Sequence, residues 1–269
     1  MAESRPLGRH PIRIPWLGIY FVLVILYLFF PIAIIALFSF NSSPAISFPI
    51  RGLSLRWYRE ILVSPVFLSA LQNSLIVAVI TTFICFVVGT LAALGLTRYN
   101  FRFKALVQSL YVLPVTLPGL LLGLSLLSFF IFLSLKLSLG TVVIGHLVYT
   151  LPYFVLVATA RLERFDRMLE EAAQDLGCTP WQTFWKVDFP IIAPSIIGAA
   201  VIVFALSFDE FLITFFVIGT QSTLPMLVWS MMRMSIDPRV NAISVVLMVA
   251  STVLIYVLSK LVDLKEIEL

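Results

Sequence analysis

Charge is what this 269-residue sequence has least of: Asp, Glu, Lys and Arg together make up 12% of it, against 61% hydrophobic residues. A soluble domain carries about 25% charged and about 45–50% apolar residues. The polar surface here is too small for a water-soluble fold, so the chain reads as an all-α integral membrane protein. Its length supplies a handful of spanning helices with short connections and leaves no room for a separate soluble domain. Cysteine is scarce as well, with Cys85 inside an apolar run and Cys178 in a polar loop. That spacing supports neither a structural disulfide nor a zinc site. The phosphate loop Gly-x4-Gly-Lys-Ser/Thr is missing, so ATP has no binding motif in this chain. No Gly-x-Ser-x-Gly frame surrounds Ser125, which leaves an intramembrane Ser125/His146 hydrolase without support. Nor is there an internal repeat, whereas an ion-coupled secondary transporter would show matching, Gly/Pro-broken halves. The net charge of +4 comes from basic residues at the ends of apolar runs, where they set topology rather than bind nucleic acid.

What is abundant is long apolar sequence. A spanning helix needs about 20 mostly apolar residues, and six runs qualify, at 16–40, 70–97, 105–135, 139–160, 191–218 and 239–262. Pro114 and Pro118 interrupt the third, which predicts a kink or a late start. The first follows Arg5, Arg9 and Arg13 and is too long for the 7–15-residue core of a cleaved signal, so it reads as a retained helix. With both termini inside, twelve Lys and Arg fall on inner segments and six on outer ones, the bias expected of cytoplasmic loops. The predicted layout is a cytoplasmic tail over 1–15, a transmembrane domain over 16–262 with a cytoplasmic loop at 161–190, and a cytoplasmic tail over 263–269. Leu224 to Met234 is apolar but too short to span, and reads as a helix lying on or dipping into the outer face. Asp237-Pro238 reads as an N-cap and first-turn proline opening the sixth span.

The loop at 161–190 is the one long polar stretch. Within it Phe165, Met168, Leu169, Ala172, Ala173 and Leu176 recur at helical steps and predict one apolar face. Glu163, Arg164, Arg167, Glu170, Glu171, Gln174 and Asp175 take the other side. Gly177 stands where a helix would stop, and Thr179-Pro180-Trp181-Gln182 reads as a capping box with an early proline. Two short helices around a glycine corner follow. Amphipathicity alone leaves two readings open, a partner-docking element and a helix on the membrane surface.

The wider pattern decides between them. Glu171-Ala172-Ala173, then Gly177, then Val187-Asp188-Phe189-Pro190 resembles the EAA loop of the permease subunits of binding-protein-dependent ABC importers, Glu-Ala-Ala-x3-Gly-x9-Ile-x-Leu-Pro. Val187 and Phe189 replace the usual Ile and Leu and keep the apolar character. The resemblance implies a type I, MetI-like importer permease fold of about six transmembrane helices, with this loop as the cytoplasmic coupling element. It also implies that Glu171, Ala172, Ala173, Asp175, Gly177 and Pro190 dock the ATPase. The implied partners are a second, non-identical permease chain, two cytoplasmic ATPase subunits that hold the ATP and magnesium, an extracytoplasmic binding protein, and the lipid of a bacterial inner membrane. The subunit itself makes no bond and is no enzyme.

A second feature lies inside the fifth run. Asp209 and Glu210 are about 22 Å along a helix from Pro194, where a central acidic residue costs about 2.5–3.5 kcal/mol on insertion scales. Intramembrane carboxylates usually face a cavity and mark function; the alternative is a packing ion pair with Arg233 or Arg239. Trp57, Tyr58 and Trp229 add aromatic faces that suit a cation or an interfacial belt. Ser207-Phe208-Asp209-Glu210, Leu224-Pro225-Met226, Ser235 through Ala242 and Ser54 through Tyr58 look like the second permease chain of the spermidine/putrescine importers, which usually carry Asp-Asp where this chain has Asp209-Glu210. A polyamine is the solute this implies, with other amines and amino-acid-like solutes of the same branch as the alternative. Asp209, Glu210, Trp57, Tyr58 and Trp229 are then the candidate pathway residues.

Overall fold

The computed structural model describes residues 15–44, 50, 52–234 and 238–261, and among them helix dominates, with one isolated bridge between Asn41 and Leu53. Arg5, Arg9, Arg13, Arg51, the Asp237 cap, Lys260, Lys265 and both predicted tails, 1–15 and 263–269, lie outside the residues whose side chains are described.

The helices run in chain order as α1 (Pro15–Ser39), α2 (Arg56–Leu62), α3 (Pro65–Ile84), α4 (Thr90–Arg98), α5 (Lys104–Thr116), α6 (Gly119–Phe132) and α7 (Leu139–Glu163). They continue as α8 (Met168–Asp175), α9 (Pro180–Thr183), α10 (Phe189–Asp209), α11 (Leu212–Val217), α12 (Leu224–Met234) and α13 (Pro238–Leu261). Two π-helical turns, Cys85–Gly89 and Phe184–Asp188, join α3 to α4 and α9 to α10. Pro190, two residues after the second turn, lacks the N–H that would close the following turn of helix, and a widened turn takes up the mismatch.

Four helical stretches are long and apolar enough to cross a membrane: Trp16–Ser39, Pro65–Arg98, Leu139–Glu163 and Pro180–Asp209. A fifth is counted if α5 and α6 are one span, although they meet at 109°. Of the two prolines in that run only Pro118 breaks it. It drives Leu117 to an extended ψ of 136°, as the residue before a proline requires, while Pro114 stays inside α5. Of α13, Pro238–Val253 counts among the shorter apolar helices. The fifth apolar run differs from the expected single span: α10 ends at Asp209, Glu210 turns the chain with ψ 116°, and α11 starts afresh.

Lipid offers no hydrophobic drive between spans, so small residues and close packing must hold them. Ala78, Ala93, Ala158 and Ala199 are buried at such contacts. Gly89, in the first π-helical turn, lies under the ring of Phe154 so closely that a Cβ would overlap it. α10 packs on α7 and α3, α4 on α7, and α11 on α6. Around the docking-loop half of α10, Phe154, Ile192, Ile196 and Val203 form one core; Trp57, Phe67, Phe208 and Leu224 form another at its far end. α1 leans on α13 and is otherwise exposed along its apolar length, as a lipid-facing helix would be.

Candidate functional site

The predicted glycine corner is present in atomic detail. α8 closes with the Cys178 amide donating to the Ala173 carbonyl at 3.0 Å and the Gly177 amide to the Gln174 carbonyl at 2.9 Å. That pair is the Schellman arrangement, and it needs a left-handed residue, which Gly177 supplies at φ +88°. The next helix opens with a capping box: the Gln182 amide donates to Thr179 Oγ1 at 3.3 Å, and the Thr179 amide to Gln182 Oε1 at 3.0 Å.

The apolar face is divided differently from the expected single stripe. Ala173 is buried and Phe165 half-buried, but α8 starts only at Met168, and Met168, Leu169, Ala172 and Leu176 are exposed. Leu176 is 87% exposed and Met168 71%. Met168, Ala172 and Leu176 follow at steps of four, so they form an apolar edge open to a partner, flanked by exposed Glu171 and Asp175. Across the corner Trp181, Trp185 and Phe189 repeat the same step, with ring centroids 5.7 and 5.0 Å apart, and both tryptophans are exposed. This aromatic ladder is a feature sequence reasoning passed over, although its spacing of four was visible. Pro190 is exposed at the start of α10.

A polar cluster fixes the hairpin from behind. Arg98, the last residue of α4, donates from Nη2 to Glu170 Oε1 at 2.5 Å and to Asp188 Oδ2 at 2.6 Å. Arg167 donates from Nη2 to the Thr97 carbonyl at 2.9 Å. Asp188 is buried, and Glu170 is partly so. Burial pushes the Glu170 carboxyl up from its ordinary value, while Arg98 beside it pulls the other way. None of these partners is legible from local sequence, because they lie 72 and 90 positions from Arg98.

At the far end of α10 the two adjacent carboxylates have separate surroundings. Glu210 Oε1 accepts from the Ile213 amide at 2.9 Å, and its carbonyl accepts from Thr214 Oγ1 at 2.9 Å, so it caps the short helix α11. Asp209 is exposed and has no hydrogen bond or ion pair among the described residues. Arg233, one of the two cations of the alternative ion-pair reading, lies over the Trp229 ring, 5.9 Å from its centroid. Phe211, two residues beyond Asp209, packs its ring 5.3 Å from that of Trp229. Behind this corner His146 is buried between α10 and α11, with Nδ1 2.7 Å from Ser207 Oγ and Nε2 2.8 Å from Thr214 Oγ1. His146 therefore ties α7 to α10 and α11 by hydrogen bonds, and Ser125 is not one of its partners.

Trp57 and Tyr58 belong to the core that packs at the far end of α10 with Phe208 and Leu224. The Trp57 indole is buried and donates to the Asn41 carbonyl at 2.6 Å, with Arg56 over its ring. Tyr58 Oη is 2.6 Å from Ser39 Oγ. Both brace α2 against the end of α1. An apolar recess of about 410 Å³ between α4, α5 and α7 is lined by neither Asp209 nor Glu210.

Residues 85–265 match the family described as binding-protein-dependent transport system inner membrane component. The chain is similar to the putrescine transport system permease protein PotI of Escherichia coli (strain K12), 34% identical over 88% of this chain and 87% of that protein. It is also similar to the spermidine/putrescine transport system permease protein PotC of the same organism, 32% identical over 85% of this chain and 87% of that one. In fold it is similar to a bacterial ABC transporter involved in the import of the acidic polysaccharide alginate, with a TM-score of 0.71 at 15% identity over 94% of this chain and 96% of the other. The apolar helices, the EAA-type hairpin and these likenesses agree on a multi-pass inner-membrane transport subunit rather than an enzyme. The chain belongs to the binding-protein-dependent transport system inner membrane components, the permease subunits of ABC importers.

Proposed function

We propose that this permease carries a polyamine such as putrescine or spermidine, with Asp209 as its pathway carboxylate and α8 as the seat of a cytoplasmic ATPase. The observation that carries the substrate class is Asp209 itself: an acidic side chain at the far end of a spanning helix, exposed and unpaired among the described residues, two positions before Phe211 of the Phe211–Trp229 ring pair. A carboxylate kept at such a depth without a counter-ion suits a cationic solute, and ring faces favour ammonium groups. The relatives PotI and PotC, permeases of putrescine and spermidine/putrescine systems by name, support the same class. Glu210 holds the turn that aims Asp209, while Trp57 and Tyr58 brace the neighbouring loop.

The docking half of the proposal rests on the exposed edge of Met168, Ala172 and Leu176, flanked by Glu171 and Asp175. The small Ala172 allows close approach, and the charged rim fixes register. Gly177 holds the corner and Pro190 marks the return into the membrane. In this reading both termini are cytoplasmic and a second, non-identical permease chain completes the pathway. Two ATPases bind beneath, and an extracytoplasmic binding protein delivers the solute from the other side. ATP binding draws the ATPases together, the 163–188 hairpin carries that displacement, and the spans alternate between inward- and outward-facing states.

The test is ATP-dependent uptake of labelled putrescine and spermidine by the complete complex in proteoliposomes. Asp209→Asn is expected to lower uptake at least tenfold while the complex stays assembled. Glu171→Arg is expected to release the ATPase on purification. Undiminished polyamine uptake in Asp209→Asn would remove the carboxylate's role, and an ATPase that stays bound to Glu171→Arg with normal uptake would remove the docking role.

A further inference from the structure

We propose that Arg98 is a positioning residue for transport, a strut that carries displacement of the docking helix into the second and fifth spans by bridging Glu170 and Asp188. The inference rests on the docking role given above to α8.

Three elements meet at this one guanidinium. Arg98 ends the Pro65–Arg98 span, Glu170 lies in the first turn of α8, and Asp188 closes the π-helical turn that leads into α10. One nitrogen, Nη2, serves both carboxylates, at 2.5 and 2.6 Å. Asp188 is buried and its Oδ1 has no hydrogen-bond partner, so Arg98 is the counter-charge that makes its burial tolerable. A buried charge pair is poor stabiliser compared with apolar packing of the same volume. Its presence at the root of a coupling hairpin is better explained by geometry: it fixes three elements at one point.

The hairpin needs such a point. The main packing of α8 is with α9 and the π-helical turn, both parts of the same hairpin. The direct polar ties from α8 and its N-cap to the second span are Glu170 to Arg98 and Arg167 to the Thr97 carbonyl. The path from the hairpin into α10 runs through Phe184–Asp188, where the helical hydrogen-bond ladder is widened and most readily bent. A push on α8 would be absorbed there as local bending. With Arg98 holding Glu170 and Asp188 together, the turn is triangulated, and α8, the end of α4 and the start of α10 move as one body. The aromatic ladder of Trp181, Trp185 and Phe189 stiffens the same hairpin from its exposed side.

The experiment uses the complete transporter in proteoliposomes and reads labelled putrescine uptake and ATP hydrolysis together, as uptake per ATP. Arg98→Met/Asp188→Leu removes the bridging cation together with the buried aspartate and fills their volume, so that only Glu170, which is partly open to solvent, loses its counter-ion. It is expected to retain the ATPase on purification and to hydrolyse ATP within twofold of the unaltered complex, with uptake per ATP at least tenfold lower. Arg98→Lys keeps a cation between the carboxylates and is expected to recover uptake per ATP to within threefold. Unchanged uptake per ATP in the double variant would overturn the strut. Loss of the ATPase from that variant would also overturn it, because Arg98 would then shape the docking surface rather than transmit from it. Failure of the docking reading has a separate signature, an ATPase indifferent to Glu171→Arg.

Discussion

Two aspartates bracket α10, and their surroundings are opposite. Asp188, at its start, is buried and ion-paired to Arg98; Asp209, at its end, is exposed and paired with nothing among the described residues. Both cost free energy to place near lipid, so each must be kept for something. A carboxylate whose charge is consumed by an internal counter-ion has none left for a solute and serves the mechanics of the fold. A carboxylate left without a counter-ion is available to a ligand. Glu210, next to Asp209 in sequence, also serves the fold, not by an ion pair but because its Oε1 accepts from the Ile213 amide. Adjacent position in sequence therefore says little about shared role; the hydrogen-bond partners separate them.

Removing the counter-ion should break this comparison most strongly. Arg98→Ala leaves Asp188 buried and uncompensated, a change that costs about 3–5 kcal/mol for a buried pair. Because Arg98 is itself 28% exposed, the low end is expected. The purified subunit in detergent should unfold at a clearly lower temperature, and an unchanged midpoint would show that water already reaches Asp188. A smaller loss is expected at the other end of the helix. Glu210→Ala removes an acceptor from the first turn of α11, and losing a helix cap costs about 1 kcal/mol. Glu210→Gln keeps an oxygen in reach of the Ile213 amide and should recover most of that loss in the same thermal measurement. Equal destabilisation by both substitutions would mean that the charge, and not the cap, is what Glu210 supplies.

Much of this architecture was legible because lipid imposes one strong rule: crossing segments must be apolar and must satisfy their own backbone. Among the described residues the first, second and fourth apolar runs therefore fall on long helices, while the third is a bent pair, the fifth breaks at Glu210 and the sixth holds the shorter apolar helix Pro238–Val253. The glycine corner was legible too, since a left-handed stop and a Thr/Gln capping box depend on residues within four positions of each other. The break after Asp209 was not, because nothing in Leu206 to Leu212 announces a turn: no glycine or proline stands there, and Glu210 acts through its side chain. By position alone Arg98 is a topology signal at the end of a span. Its carboxylate partners are brought to it by tertiary packing, which local pattern does not encode. Periodicity placed Met168, Ala172 and Leu176 with Ala173 on one face, but which of them meets the rest of the chain depends on how the hairpin leans. The lean buries Ala173 and leaves the others open.

The smallest stability effect is expected at a residue whose loss should still cost at least tenfold in transport. Asp209 has no hydrogen bond or ion pair to lose among the described residues, so Asp209→Asn should change the unfolding free energy by no more than about 0.5 kcal/mol, the range of substitutions away from packed or paired sites. The neutral amide keeps the size of the side chain and removes the charge that a diamine would meet. Thermal unfolding of the purified subunit should therefore match the unaltered chain, while uptake of labelled putrescine by the assembled complex falls at least tenfold. A marked drop in the unfolding midpoint would place a hidden partner on Asp209 and move it into the same mechanical class as Asp188. A stable variant with full uptake would leave the exposed carboxylate without a ligand and return the substrate question to the Phe211–Trp229 ring pair. Only the combination of unchanged stability with lost uptake keeps the two ends of α10 in separate classes, one charge spent on structure and one kept for the solute.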